Sequence, residues 1–90
     1  MERKELRIKT IDKISETFTW LDFIGWSNKE SEYDLVKFQS KIDSEFILWA
    51  YVYDSKVDLE FRESTKIDKE YRDIKSENII SLIEDIKYIY

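Results

Sequence analysis

The sequence predicts an α+β fold: a small antiparallel sheet of three or four strands, with N- and C-terminal helices packed on one of its faces. Three observations carry this. Residues 45–62 hold an apolar run, "EFILWAYVY", followed by a polar turn and an alternating run, "KVDLEFR", which together read as a β-hairpin. The C-terminal "SENIISLIEDIKYIY" has isoleucines at helical spacing. The N-terminal segment repeats that signal at Ile8, Ile11, Ile14 and Phe18. Ninety residues suit one domain, taken as 1–90.

Taken in order, the N-terminal spacing predicts a helix over residues 3–16. "TFTWLDFI", from Thr17 to Ile24, has the β-branched and aromatic content of a strand. "GWSNKESE" reads as a turn or loop, with Gly25 relieving a turn or bulge at the strand end. Residues 33–42 fit either a strand (Val36, Phe38, Ile42) or a helix (Leu35, Phe38, Ile42, with Ser27 and Glu30 as a capping box). The strand is the preferred reading. Ile67, Tyr71 and Ile74 predict a short helix over residues 65–75, with a break near Lys75–Ser76. In the last helix Ser76 is the expected N-cap, and Ile79, Ile83, Ile86 and Tyr90 form the apolar stripe.

The hairpin turn at Asp54–Ser55 leaves two registers open. A two-residue loop pairs Val52 with Val57, Ala50 with Leu59 and Leu48 with Phe61, making one face wholly apolar. A three-residue loop instead sets Trp49, Tyr51 and Tyr53 against Phe61, Leu59 and Val57. In either register the second arm has one polar face, expected to be solvated, while the first arm brings large apolar groups to it.

Composition narrows the function. The chain is 42% hydrophobic and 16% aromatic, which suits an efficient small core and argues against disorder. There is no Cys and no His, so disulfides, thiolate metal sites and the commonest general base are excluded. A single Gly leaves no phosphate-cradling loop. No catalytic, cofactor-binding or metal-ligating set is expected, and the protein reads as a non-enzyme. Its longest uncharged stretch is Phe46 to Tyr53, too short to span a bilayer. The charged N-terminal run carries no signal peptide, so the expected compartment is the cytoplasm.

Net charge is −5, with nine acidic against five basic residues over 27–63. That balance argues against direct nucleic-acid binding and permits a partner with a basic surface. The candidate partner-binding residues are the aromatic stripe Trp49, Tyr51 and Tyr53 and the acidic series Asp54, Asp58 and Glu60. Tyr and Trp dominate interface hot spots. Carboxylates ~7 Å apart on a strand face could imitate nucleic acid. The bland reading of the stripe is a central strand covered by helices on one side and by long neighbouring stems on the other. The basic cluster Arg3, Lys4, Arg7 and Lys9 reads as a solvated helix face.

In size and charge alone, the chain resembles phage-encoded inhibitors of host nucleic-acid enzymes, including anti-CRISPR proteins. That resemblance implies an acidic module that inhibits or occludes a larger protein. Alternatives are a structural homo-oligomer that pairs through its aromatic sheet face, and an immunity or antitoxin protein for a basic toxin.

Overall fold

In the computed structural model, which describes residues 2–89, the chain forms helix α1 (Arg3–Thr17) and strands β1 (Leu21–Ser27), β2 (Asp34–Ser40), β3 (Phe46–Val52), β4 (Lys56–Glu63) and β5 (Lys66–Lys75). A 3-10 turn (Ser76–Asn78) then leads into helix α2 (Ile79–Ile86). The strands make one antiparallel meander in the order β1-β2-β3-β4-β5. The α+β class is as expected. The sheet has five strands rather than three or four.

The fifth strand replaces the helix expected over residues 65–75, and the sequence signal was misleading for a physical reason. β5 has ten residues against the eight of β4. It absorbs the difference in two bulges, one at Arg72–Asp73 opposite Asp58 and one at Asp68. The first puts Tyr71 and Ile74, three apart, on the same sheet face, which mimics helical spacing. The second sets Ile67 opposite Arg62, on the other face. Asp73 takes φ 56°, and its amide donates to Asp58 Oδ1 at 2.8 Å, which stitches the bulge.

β1 begins four residues later than expected and runs through Gly25 and Trp26, which the loop reading had removed from the sheet. The register shift between Phe23 and Gly25 is a bulge. Gly25 has φ 154°, where side chains are rarely found, so the lone glycine of the chain is used for backbone freedom. Residues 34–40 are a strand, as preferred.

The hairpin adopts the two-residue-loop register: Val52↔Val57, Ala50↔Leu59, Leu48↔Phe61. Tyr53 N–H donates to the Lys56 carbonyl at 2.9 Å, closing the loop around Asp54–Ser55. Leu48, Ala50 and Val52 therefore lie under the helices, beside Val36, Phe38, Val57, Leu59 and Phe61. Ile47, Trp49 and Tyr51 point to the opposite, outer face.

Both helices cover the same sheet face. α2 buries Ile79, Ile83 and Ile86, the expected stripe; Tyr90 lies outside the described residues. Ser76 does not cap with its side chain; its hydroxyl donates instead to Glu77. The break near Lys75–Ser76 falls where expected, but it joins strand to helix. α1 buries Leu6, Thr10 and Ile14, whereas Ile8 is 45% exposed. Of the expected stripe, Ile14 and Phe18 are buried and Ile11 packs half-buried against the core, while the place of Ile8 is taken by Leu6 and Thr10, which with Ile14 repeat every four residues along a helix of 3.6 residues per turn. Thr10 fits this apolar row because its hydroxyl donates to the Leu6 carbonyl at 2.7 Å.

Candidate functional site: the outer face of the sheet

β3 is the central strand, and its pleat decides what the outer face presents. Every second residue of "ILWAYVY" points away from the helices, which delivers Ile47, Trp49 and Tyr51 to one surface. Tyr53 follows at the strand end. Tyr33, just before β2, packs edge-on against Tyr51 at 5.3 Å and Tyr53 at 5.5 Å between ring centroids. Trp49 adjoins Tyr51 at 6.5 Å. The result is a continuous band of four aromatic rings. Each ring is half-buried.

Cations frame the band. Arg62 lies over the Trp49 ring at 4.5 Å and Lys37 at 5.1 Å, while Lys56 lies over Tyr53 at 4.7 Å. These long stems shelter the rings without enclosing them. A shallow depression continues the face beside β2, lined by Tyr33, Leu35, Lys37 and Ser27.

The acidic series is arranged differently from the solvated ladder expected for the second arm. Asp58 and Glu60 are each only 5% exposed. Arg72, from the misread strand β5, bonds Glu60 Oε2 at 2.9 Å and reaches Asp58 Oδ2 at 3.4 Å. Arg62 bonds Glu60 Oε1 at 2.9 Å, and the Tyr51 hydroxyl donates to the same oxygen at 2.7 Å. Burial pushes the Glu60 carboxyl up, but hydrogen bonds from Tyr51, Arg62 and Arg72 outweigh it and hold it below its ordinary value. Burial, followed by the bond to Glu60, pushes the Tyr51 phenol well up. The carboxylates therefore work as struts that fix the aromatic band. Asp54 sits apart at the hairpin tip, exposed and bonded by Arg3 Nε at 2.8 Å.

The structure thus brings Trp49, Tyr51, Tyr53, Asp58 and Glu60 together and leaves Asp54 at the rim. It adds Tyr33, Lys37, Arg62 and Arg72, which the sequence reading did not select. Tyr33, Leu35 and Lys37 alternate on one face of β2, a period-2 signal that was available. Arg72 had none, because its segment carried helical spacing.

The N-terminal basic cluster is also more engaged than a solvated face. Arg7 bonds Asp34 Oδ2 at 2.8 Å and stacks on Trp26 at 3.6 Å, and Lys9 donates to the Ser76 carbonyl. Asp34, almost fully buried, is further held by Asn28. These contacts pin the β1–β2 loop and the start of α2 to α1.

Among the described residues, no group of three or more acidic side chains is arranged to hold a metal ion, and no helix is long and apolar enough to cross a membrane. No protein-family profile, curated protein or solved structure matches this chain.

Proposed function

We propose that the protein is a small binding module that occludes a surface of a larger protein, and that it docks through the outer face of its sheet. One observation carries this: Trp49, Tyr51, Tyr53 and Tyr33 form a continuous aromatic band on the face opposite both helices, and no other element of the described chain lies over it. Half-buried Tyr and Trp in a band supply large contact area at low entropic cost. The band is already set in place by Glu60, Arg62 and Arg72, so little ordering is left to occur on binding.

The role is binding rather than catalysis, in a chain with neither His nor Cys. A partner with a basic surface would be drawn by the net charge of −5. It would meet the exposed rim carboxylates Asp54, Glu70 and Asp73, whose ion pairs with Arg3, Arg72 and Lys56 are open to solvent, and not Asp58 or Glu60, which are buried beneath Arg72 and Arg62. Nucleic-acid mimicry by the Asp58–Glu60 pair therefore loses its basis, while inhibition by occlusion, as in phage inhibitors or immunity proteins, keeps its own.

The test is affinity capture with wild type, Trp49→Ala and Tyr53→Ala, each first checked for a cooperative unfolding transition. The expected outcome is a specific captured protein lost from both folded variants. Equal capture by all three proteins would sink the reading. A further check is the association rate, expected to fall as salt is raised if the partner is basic.

A further inference from the structure

We propose that β1 pairs antiparallel with β1 of a second copy of this chain, extending the sheet across a two-fold axis. This goes beyond the binding role and uses a different surface, the sheet edge.

The two edges of the sheet are unlike. β5 is lined with Lys66, Asp68, Lys69, Glu70, Arg72 and Lys75, the usual protection against strand pairing, and has two bulges against the one that β1 carries at Ile24. β1 bonds only to β2, and from Phe23 to Ser27 it carries no charge. On it Phe23 is 44%, Ile24 58% and Trp26 47% exposed, three large apolar residues within four positions. A row of unpaired backbone groups beside such side chains is a template for another strand.

The edge is complementary to itself. A two-fold register centred between Ile24 and Gly25 sets Phe23 opposite Trp26 of the partner. Both residues stand on the helix side of the sheet, as their pairing with Phe38 and Val36 dictates. The same register sets Ile24 opposite the partner's Gly25. A side chain at Gly25 would meet nothing within 4 Å, and a depression of about 240 Å³ lies there, lined by Leu35, Lys37 and the chain's own Ile24. Ile24 of the second copy would fill it. Charge agrees as well. Asp22, exposed and 3.8 Å from Lys41, lies at one end of the strand, and Lys29, which has no ion pair among the described residues, lies beyond the other. Antiparallel pairing brings each towards its opposite. An isologous contact of this kind satisfies both open edges at once. It also keeps both aromatic outer faces on the same side of a continuous sheet, which would make the assembly bivalent.

Sedimentation equilibrium of the full chain from low micromolar to submillimolar concentration tests this. The expected result is a concentration-dependent monomer–dimer equilibrium, weakened at least about tenfold by Ile24→Lys and unchanged by Tyr53→Ala. Hydrogen exchange on the wild type needs no variant: β1 amides directed away from β2 should slow as concentration rises. A monomer throughout, a dimer indifferent to Ile24→Lys, or one broken by Tyr53→Ala would overturn the proposal. The last outcome would place the contact on the aromatic face instead.

Discussion

Glu60 receives three donors, Tyr51, Arg62 and Arg72, from three different strands, and is nearly closed to solvent. Removing one member of a buried charged set strands the others, so Glu60→Ala is expected to cost about 3 kcal/mol in urea unfolding. Tyr51→Phe removes a single bond to a charged acceptor and should cost about 1.5 kcal/mol. The two losses should not add, because they share one interaction; a double-mutant cycle measures the coupling. Glu84, on α2, is bonded by Lys13 of α1 and by Lys87, and these bonds hold its carboxyl down from 4.5 to about 2. A depressed carboxylate stabilises the fold above its ordinary value and loses that contribution as pH falls through its folded value. Glu60 has the same sign. Stability should therefore drop as pH falls from about 4.5 towards 2. Glu84→Gln should flatten part of that slope, as unfolding midpoints across the range would register. Because Glu84 is a surface group, the effect should be small.

At the scale of elements, the clearest lesson concerns β5. Its bulges give Tyr71 and Ile74 helical spacing in a strand, and they aim Arg72 at Asp58 and Glu60. Periodicity cannot separate a bulged strand from a helix, since one inserted residue turns a period of two into a step of three. The β4–β5 turn depends on Ser64 at φ 57°. Ser64→Val should cost about 1–2 kcal/mol, while Ser64→Gly should leave stability nearly unchanged, its relief of strain offset by unfolded-chain entropy. Thermal melts of the pair would check this. α2 was legible because Ile79, Ile83 and Ile86 all meet the core. Ile83→Ala is expected to cost about 3 kcal/mol, a large share of the stability of a domain this size. α1 was legible as a helix, and Ile11, Ile14 and Phe18 of its expected stripe reach the core, but Ile8 does not. The buried row of α1 contains Thr10, whose hydroxyl is satisfied by its own helix, so polarity alone did not mark it as inside.

For the whole molecule, the layers separate two kinds of aromatic residue. Phe18, Trp20, Phe46, Phe61 and Tyr71 interlock on the helix side, with ring centroids 5.3–6.3 Å apart. Tyr33, Trp49, Tyr51 and Tyr53 lie on the other side, framed by Arg62, Lys37 and Lys56. The inner set makes the core and the outer set the candidate docking surface. Trp49→Ala and Tyr53→Ala should therefore spare folding and remove partner capture, whereas Phe61→Ala should cost about 3–5 kcal/mol. The β1 edge adds a third surface, whose occupant is argued to be a second copy.

By itself the sequence determined the α+β class, both terminal helices and the β3–β4 hairpin, and left residues 33–42 between strand and helix with the strand preferred. It also reduced the outer face to one of two residue sets. Local periodicity and turn chemistry carry that much, because each depends on neighbours within a few residues. Only the tertiary structure decided which set faces outward, that residues 66–75 form an edge strand, and that Asp58 and Glu60 are struts between arginines. Register, bulges and ion pairs between distant strands depend on residues far apart in the chain, and their spacing leaves no mark that a short window can read.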